Sequence, residues 1–270
     1  MLPTQLRNRL RGLALAAGSA VLPTRRAKLH EAARLIAPFE SGHSLLRVGD
    51  ETDGGYLIPD DLIGIAALFS PGVSTTWDFE RSMAEEHAMP SYMMDASVDA
   101  PAGLTSKQTF DKKWLAAKSS RDAWSLRDWV CRYSPNVEDD LMLQMDIEGA
   151  EYQVLVAADD STLKRFRIVV VEYHGLQWLT VDPVARFRLL PALRKMDRLF
   201  QVVHVHPNNC AETIQIHGVE VPPVLEVTYL RKDKVLADER TPAALPHPLD
   251  RDCVPGRAPV VLATGWPGLG

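Results

Sequence analysis

The sequence predicts an α/β fold organised around a doubly wound, mostly parallel β-sheet. Three near-continuous apolar runs, at residues 65–70, 141–145 and 168–171, are separated by segments with helical patterning. Strands of this kind are buried on both faces, as in a parallel sheet covered by helices. Two later apolar runs, at residues 200–206 and 224–230, have no helix between them and therefore indicate an antiparallel edge.

Composition narrows the class of protein. The chain has 270 residues, 46% of them hydrophobic and 24% charged, with a formal net charge of -5. These values are typical of an ordinary globular protein. No long basic run follows the N-terminus, so we expect no nucleic-acid partner. The cysteines Cys131, Cys210 and Cys253 lie far apart without metal or disulfide spacing, so we expect reduced thiols and a cytoplasmic protein.

The N-terminal segment has a different sequence pattern from the centre of the chain. Residues 1–40 predict a helical, Arg-rich N-terminal extension with a break at Pro23 and a second helix at 27–36. Its basic residues before the apolar run 12–22 also imitate a secretory signal, an alternative that we do not favour because the run is short and contains glycine. The run is shorter than the about 20 apolar residues that span a bilayer, so we expect no stable membrane insertion.

The remaining chain divides into a main domain and a tail. The main domain covers residues 41–233, and residues 234–270 are Pro-rich and predict an irregular segment wrapped on the surface. Near the start of the main domain, apolar runs flank Gly54 and Gly55, and this pattern predicts a β-hairpin that continues into Tyr56.

Residues that could carry chemistry stand where predicted strands end. Ser70 and Gly72 end the first strand of the main sheet, and a glycine there lets a ligand approach the backbone. Asp95 ends the second strand, where a carboxylate can accept ribose hydroxyls. Asp146 ends the third, and an ionised group at that depth costs free energy unless it is paired. In doubly wound sheets ligands bind beyond these carboxyl ends.

Two histidines lie near the ends of later strands. His174 ends the run Glu172-Tyr173-His174, and His206 lies on the strand before Asn208. Histidine is the natural base near neutral pH, although a hydrogen-bonded structural role is the alternative for each of them.

Several of these segments resemble one protein family. The run from Asp146 to Tyr152, DIEGAEY, is similar to the D-[IV]-E-G-A-E signature of FkbM-type methyltransferases. Five further segments match a branch of that family in the same order along the chain, over roughly residues 45–233: Asp53-Gly54-Gly55-Tyr56, Phe79-Glu80, Glu172-Tyr173-His174, His206-Pro207-Asn208-Asn209 and Glu226-Val227-Thr228-Tyr229-Leu230-Arg231.

The resemblance implies a Rossmann-like class I methyltransferase sheet of seven strands, the last of them antiparallel, that binds S-adenosylmethionine. Position by position, it implies that Gly72 lies under the amino-acid part of the cofactor, Asp95 at its ribose and Asp146 near its sulfonium. It also implies that the hairpin closes over the cofactor. The residues expected to bind it are therefore Gly54, Gly55, Tyr56, Ser70, Gly72, Asp95 and Asp146.

The expected reaction is methylation of a hydroxyl on a sugar, a glycan or a small natural product. Such a hydroxyl must lose its proton, so we expect His174 to act as the base, Asp146 to orient the acceptor or the base, and His206 to be the reserve candidate. A divalent metal ion is compatible with a hard ligand set of Asp146, Glu172, His206 and Asn208.

Two other classes of function stay open on the sequence. A metal-dependent hydrolase could use the same acids and histidines, although the chain lacks an HExxH motif. A non-catalytic relative could bind a partner through its N-terminal helices. The sequence leaves a homo-oligomer open for every one of these classes.

Overall fold

The computed structural model describes residues 24–74 and 76–262, and the helix predicted before Pro23 lies outside these residues. In the described part the strands are β1 (Leu45–Val48), β2 (Tyr56–Pro59), β3 (Ile65–Pro71), β4 (Ser91–Met94), β5 (Gln108–Asp111), β6 (Trp114–Leu115), β7 (Ala123–Trp124), β8 (Asp140–Met145), β9 (Phe166–His174), β10 (Phe200–Pro207), β11 (Ile214–Ile216), β12 (Val219–Val221) and β13 (Val224–Arg231).

Helices connect these strands. The α-helices are α1 (Arg26–Leu35), α2 (Asp78–Glu86), α3 (Leu126–Tyr133), α4 (Glu151–Ala157), α5 (Asp160–Leu163), α6 (Asp182–Val184) and α7 (Leu190–Leu199). A π-helical turn at Ala185–Leu189 precedes α7, and 3₁₀ turns occur at Leu176–Thr180 and Lys232–Lys234.

A seven-stranded sheet forms the centre of the molecule. Its strand order is β10-β13-β9-β8-β3-β4-β5. The pairs from β5 to β9 are parallel, whereas β13 runs antiparallel to both β9 and β10. The order reverses between β3 and β8, which makes the gap beyond their carboxyl ends the switch point of the sheet. The predicted parallel sheet with an antiparallel strand near one edge is therefore confirmed.

Two apolar layers cover the sheet because successive strand residues point to opposite faces. Leu143 and Val169 face a cluster that contains residues of α1, α3, α4 and α7. Met142 and Val170 face the other cluster, which contains Tyr56 of the hairpin and Phe79 of α2. The row of even-numbered residues in β8 and β9 therefore points toward the hairpin side.

The hairpin of β1 and β2 forms as predicted, with Val48 opposite Tyr56. Its turn depends on glycine, because a Cβ atom on Gly55 would lie 1.9 Å from the carbonyl oxygen of Asp50. The turn therefore brings β2 back against one face of the sheet, where Leu57 accepts a hydrogen bond from Thr228 of β13.

Several local features lie outside the predictions from sequence. Asp182 follows Val181 in the first turn of α6, and its carboxylate pairs with Lys28 of α1. Helix α2 begins at Asp78 after Trp77 without a side-chain cap. Residues 99–122 contain the short strands β5 and β6.

Strand β10 lies at an edge of the sheet, and two distant segments cover it. Phe39 donates a backbone hydrogen bond to Val202 of β10 and forms an isolated bridge with Pro242. Glu40 donates to the carbonyl oxygen of Thr241. The segment after residue 234 therefore folds back along β10, and the backbone of residues 235–262 is irregular. None of the helices in residues 24–74 and 76–262 is long and apolar enough to cross a bilayer.

A charged cluster at the amino end of β8 predicts a stability effect. Asp140 accepts hydrogen bonds from Arg167 at 2.7 and 3.0 Å and from Arg231 at 2.7 Å, and its side chain is 19% exposed. Asp140→Asn removes the carboxylate that Arg167 and Arg231 share, and leaves each of them one other carboxylate partner. We expect it to lower the free energy of unfolding by about 1–3 kcal/mol in urea titrations.

Asp160→Asn is the matched control, because Asp160 pairs with Arg198 at the surface, where both side chains are exposed. Surface ion pairs contribute little, so this variant should unfold like the wild type. Equal losses in the two variants would contradict a structural role for Asp140.

Candidate active site

A cleft opens at the switch point between β3 and β8. It is lined by the hairpin turn, the segment that joins β3 to α2, and the end of β8. The lining residues are Asp53, Gly54, Tyr56, Gly72, Val73, Ser74, Thr76, Trp77, Asp78, Phe79, Glu80, Gln144 and Asp146. Ligands of doubly wound sheets bind at this position.

The close approach of two strand ends in the cleft requires glycine at position 72, where Gly72 stands. Its φ angle is +95°, and a Cβ atom there would lie 1.5 Å from the carbonyl oxygen of Asp146. Its amide donates to the Met94 carbonyl oxygen at 2.8 Å, and the Asp146 amide donates to that of Pro71 at 3.2 Å. The ends of β3, β4 and β8 are thus held together, and the backbone at Gly72 stays accessible from the cleft.

The loop after β8 is shaped by Glu151. Glu148 and Gly149 both have positive φ angles, +57° and +97°, so the chain turns sharply before α4. The Glu151 carboxylate accepts hydrogen bonds from the amides of Gly149 at 2.9 Å and Ile147 at 3.3 Å. Glu151 is fully buried, so its charge is held by these amides and by His174 rather than by water.

His174 stands among three carboxylates. Its Nδ1 atom lies 3.2 Å from Glu151 Oε1 and 3.1 Å from the carbonyl oxygen of Glu172, so Nδ1 carries a proton and donates. Its Nε2 atom lies 3.8 Å from Asp146 Oδ1 and 3.9 Å from Glu172 Oε1. The last two distances are those of ion pairs rather than hydrogen bonds.

Burial and the charges around His174 shift the pKa values of the ionisable residues in the site. Burial opposes the imidazolium form of His174, but the hydrogen bond with Glu151 and the charge of Asp146 outweigh it and raise its pKa to about 10. Burial raises the pKa of Asp146 to about 7. Burial and the charge of Asp146 raise the pKa of Glu172 to about 8. At neutral pH His174 is therefore a cation, and the two acids titrate as a coupled pair.

A buried hydrogen-bond chain runs beneath the cleft toward Glu172. Ser70 Oγ lies within hydrogen-bonding distance of Glu80 and, at 2.6 Å, of Gln144 Oε1. A hydroxyl has one proton, so Ser70 donates to Glu80 or to Gln144 at any one time, and burial raises the pKa of Glu80. Gln144 then donates to the Tyr56 hydroxyl at 3.2 Å.

The chain ends on the Glu172 carboxyl group. Tyr56 donates to Glu172 Oε2 at 3.3 Å, and Asn208 donates to Glu172 Oε1 at 3.1 Å. Both oxygens of Glu172 are thereby fixed, so its orientation toward His174 does not depend on a bound ligand.

The predicted cofactor residues fall into different environments. Gly54 and Tyr56 line the cleft, whereas Gly55 shapes the hairpin turn. The prediction that Ser70 faces the cofactor needs correction, because its side chain is fully buried and both of its contacts are internal. Asp95 ends β4 as predicted, with one carboxylate oxygen accepting from Ser97 at 2.6 Å.

His206 does not share the site of Asp146. Strand β13 lies between β9 and β10, so three strand spacings, or about 14 Å, separate the strands of the two residues. His206 instead lies 3.6 Å from Asp250 Oδ1. The expected ligand set of Asp146, Glu172, His206 and Asn208 is therefore split, with Asn208 bonded to Glu172 and His206 elsewhere.

Sequence reasoning missed several residues of this site. Glu151 stands in the first turn of α4, where an acid is common, yet it holds both the loop and His174. Gln144 is a polar residue inside an apolar run, and this was the signal that it bonds to buried partners.

Sheet order and site together are consistent with a Rossmann-like methyltransferase fold. Residues 131–204 match the family model described as the methyltransferase FkbM domain. The matched segment runs from α3 into β10 and includes Asp146, Glu151 and His174. It confirms the resemblance found in the sequence and supports a methyltransferase. A search of curated proteins finds no match to this chain.

The raised pKa of Glu172 predicts a pH-dependent stability. Folding raises this pKa from its ordinary value of 4.5 to about 8, so between these pH values the folded chain holds a proton that the unfolded chain releases. Stability therefore falls as pH rises through this range. Glu172→Gln removes that loss. We expect its melting temperature, relative to wild type, to increase steadily from pH 5 to pH 8 in calorimetry.

Glu138→Gln is the control, because Glu138 is exposed and its substitution should leave the difference from wild type constant with pH. A Glu172→Gln difference that is also constant across this range would show that Glu172 is ionised in the folded protein.

Proposed function

We propose that this chain is an S-adenosylmethionine-dependent methyltransferase that methylates a hydroxyl oxygen of a small-molecule or carbohydrate acceptor. The observation that carries the proposal is the contact of Gly72 with Asp146 at the switch point of the sheet, next to a segment that matches the FkbM domain. Ligands of such sheets bind at the switch point. Here the two strand ends that form it leave the backbone of Gly72 accessible and the carboxyl group of Asp146 partly buried.

The residues present fit this cofactor. The backbone at Gly72 would lie under its amino-acid part, with Trp77 at the end of the same segment. Asp95 does not line the cleft itself but follows β4, the strand next to β3, and from there it would accept the ribose hydroxyls. Asp146 has a buried oxygen, Oδ1, without a hydrogen-bond partner among the described residues, and it would face the charged centre. When bound, S-adenosylmethionine supplies an electrophilic methyl group on a sulfonium.

The protonation of the site suggests how the roles are divided. His174, expected from sequence to be the base, has a pKa of about 10 and so holds its proton at neutral pH. Asp146, with a pKa of about 7, is the better acceptor for the proton of an alcohol. His174 then acts as a fixed cation that stabilises the ionised form of Asp146, while Glu151 sets its orientation.

A divalent cation is the second candidate for this site and the basis of the hydrolase alternative. Asp146, Glu148 and His174 offer ligand atoms that all lie within 4.8 Å of one another. The charge on His174 opposes a bound cation, since a ligating imidazole must be neutral. We therefore propose that cofactor binding does not require a metal ion.

Calorimetric titration with S-adenosylmethionine tests the proposal. The wild-type protein should bind it with micromolar affinity, equally with Mg²⁺ and with a chelator. Asp95→Ala removes a charged acceptor of hydrogen bonds, so we expect affinity to fall about 10- to 100-fold. Asp146→Asn should weaken binding less and should slow methylation of an accepted alcohol by about 10²–10⁴-fold.

Asp99→Ala is the matched control, because Asp99 lies four residues from Asp95 and its side chain is exposed. Its titration should equal that of the wild type. Folded wild-type protein that binds no S-adenosylmethionine would favour a non-catalytic binding relative, and binding that appears only with Mg²⁺ would favour the metal-dependent alternative.

A further inference from the structure

A second group of potential metal ligands lies on the other side of β13, away from the cleft. His206, Glu226 and Cys253 place one ligand atom each within 4.8 Å of one another. They come from β10, from β13 and from the C-terminal segment. Glu226 and Cys253 are 6% and 5% exposed, and the His206 side chain is 12% exposed.

The register of the strands places two members of this group, His206 and Glu226, side by side. Glu226 is paired with His206 across β13 and β10, and with Glu172 across β13 and β9. Residues directly opposite in antiparallel strands project to the same face. The C-terminal segment then brings the Cys253 thiol to 3.1 Å from Glu226 Oε1.

The histidine is oriented as metal-binding histidines are. Its Nδ1 atom faces the Asp250 carboxylate at 3.6 Å, whereas its buried Nε2 atom has no hydrogen-bond partner among the described residues. In metal sites a ligating imidazole commonly directs its other nitrogen toward a carboxylate, which fixes the ring and its tautomer. A buried nitrogen without a partner costs free energy that a ligand would recover.

We propose that His206, Glu226 and Cys253 form a site for a divalent transition metal of the zinc type, with Asp250 orienting His206. Thiolate, imidazole and carboxylate ligands together suit Zn²⁺ and Co²⁺ and disfavour Mg²⁺ and Ca²⁺. Three protein ligands leave one position of a tetrahedral ion for water.

Binding replaces protons by the ion. Burial raises the pKa of Glu226 to about 8 and raises that of the Cys253 thiol, so the metal-free group holds both protons at neutral pH. Burial opposes the imidazolium form of His206, but the Asp250 carboxylate outweighs it and raises the pKa of His206. Each ligand atom that carries a proton releases it to solvent when it coordinates the cation, which makes affinity increase with pH. Because Cys253 lies in the C-terminal segment, the metal would fasten that segment to the sheet.

Cobalt titration of the metal-free full-length protein tests the site. One Co²⁺ per chain should give the near-ultraviolet charge-transfer absorption of a cobalt–thiolate bond, and Zn²⁺ should abolish it by competition. Cys253→Ser should lose this absorption, and Glu226→Gln should weaken Co²⁺ binding at least tenfold. The wild-type protein should also melt at a higher temperature with Zn²⁺ than with a chelator.

Cys131→Ser is the control, since Cys131 is an exposed cysteine and its variant should titrate like the wild type. The cluster of Asp146, Glu148 and His174 contains no sulfur, so ions bound there give no thiolate absorption. Wild-type protein without this absorption, or Cys253→Ser with it, would overturn the proposal. Neither result bears on S-adenosylmethionine binding, which is measured separately.

Discussion

The structure depends on a row of ionisable side chains on one face of the sheet, along the edge where its parallel strands end. Glu172, Glu226 and His206 lie directly opposite one another in adjacent strands, and Asp146 ends the next strand after Glu172. Each is largely buried, and burial opposes their ionisation. A sheet with this row can fold only if neighbouring residues neutralise the charges or keep the acids protonated.

Different parts of the chain meet this requirement at the two ends of the row. At Asp146 and Glu172 the solution is a cation, His174, held by Glu151 from α4. Tyr56 from the hairpin and Asn208 then bind the oxygens of Glu172. At the other end the C-terminal segment provides the partners, so chain segments far apart in sequence serve one electrostatic purpose.

Sequence patterning was sufficient for the sheet but not for the pairing of polar residues. Buried strands such as β8 and β9 are apolar almost throughout, and their ends mark where a site can form. The separation of His206 from Asp146 could not be foreseen, because it follows from β13 inserting between β9 and β10.

The same limit applies to contacts between side chains. The bond between Glu151 and His174 joins residues 23 positions apart, and no local pattern encodes it. Nor does the Pro-rich composition of the tail indicate that Cys253 would be buried against β13. Periodicity reports which face of an element is buried, whereas these contacts depend on how the elements are arranged.

The cover over β10 has a consequence for synthesis on the ribosome. The backbone of this edge strand is paired on its outer side by Phe39, which is in turn bridged to Pro242. An uncovered edge strand is a template for pairing with other chains. Phe39 is made before β10, but β10 and β13 are complete before residue 242, so the nascent sheet passes through a stage in which Phe39 covers this edge without its bridge to Pro242. Truncation before residue 242 would make that stage permanent and promote aggregation of the protein.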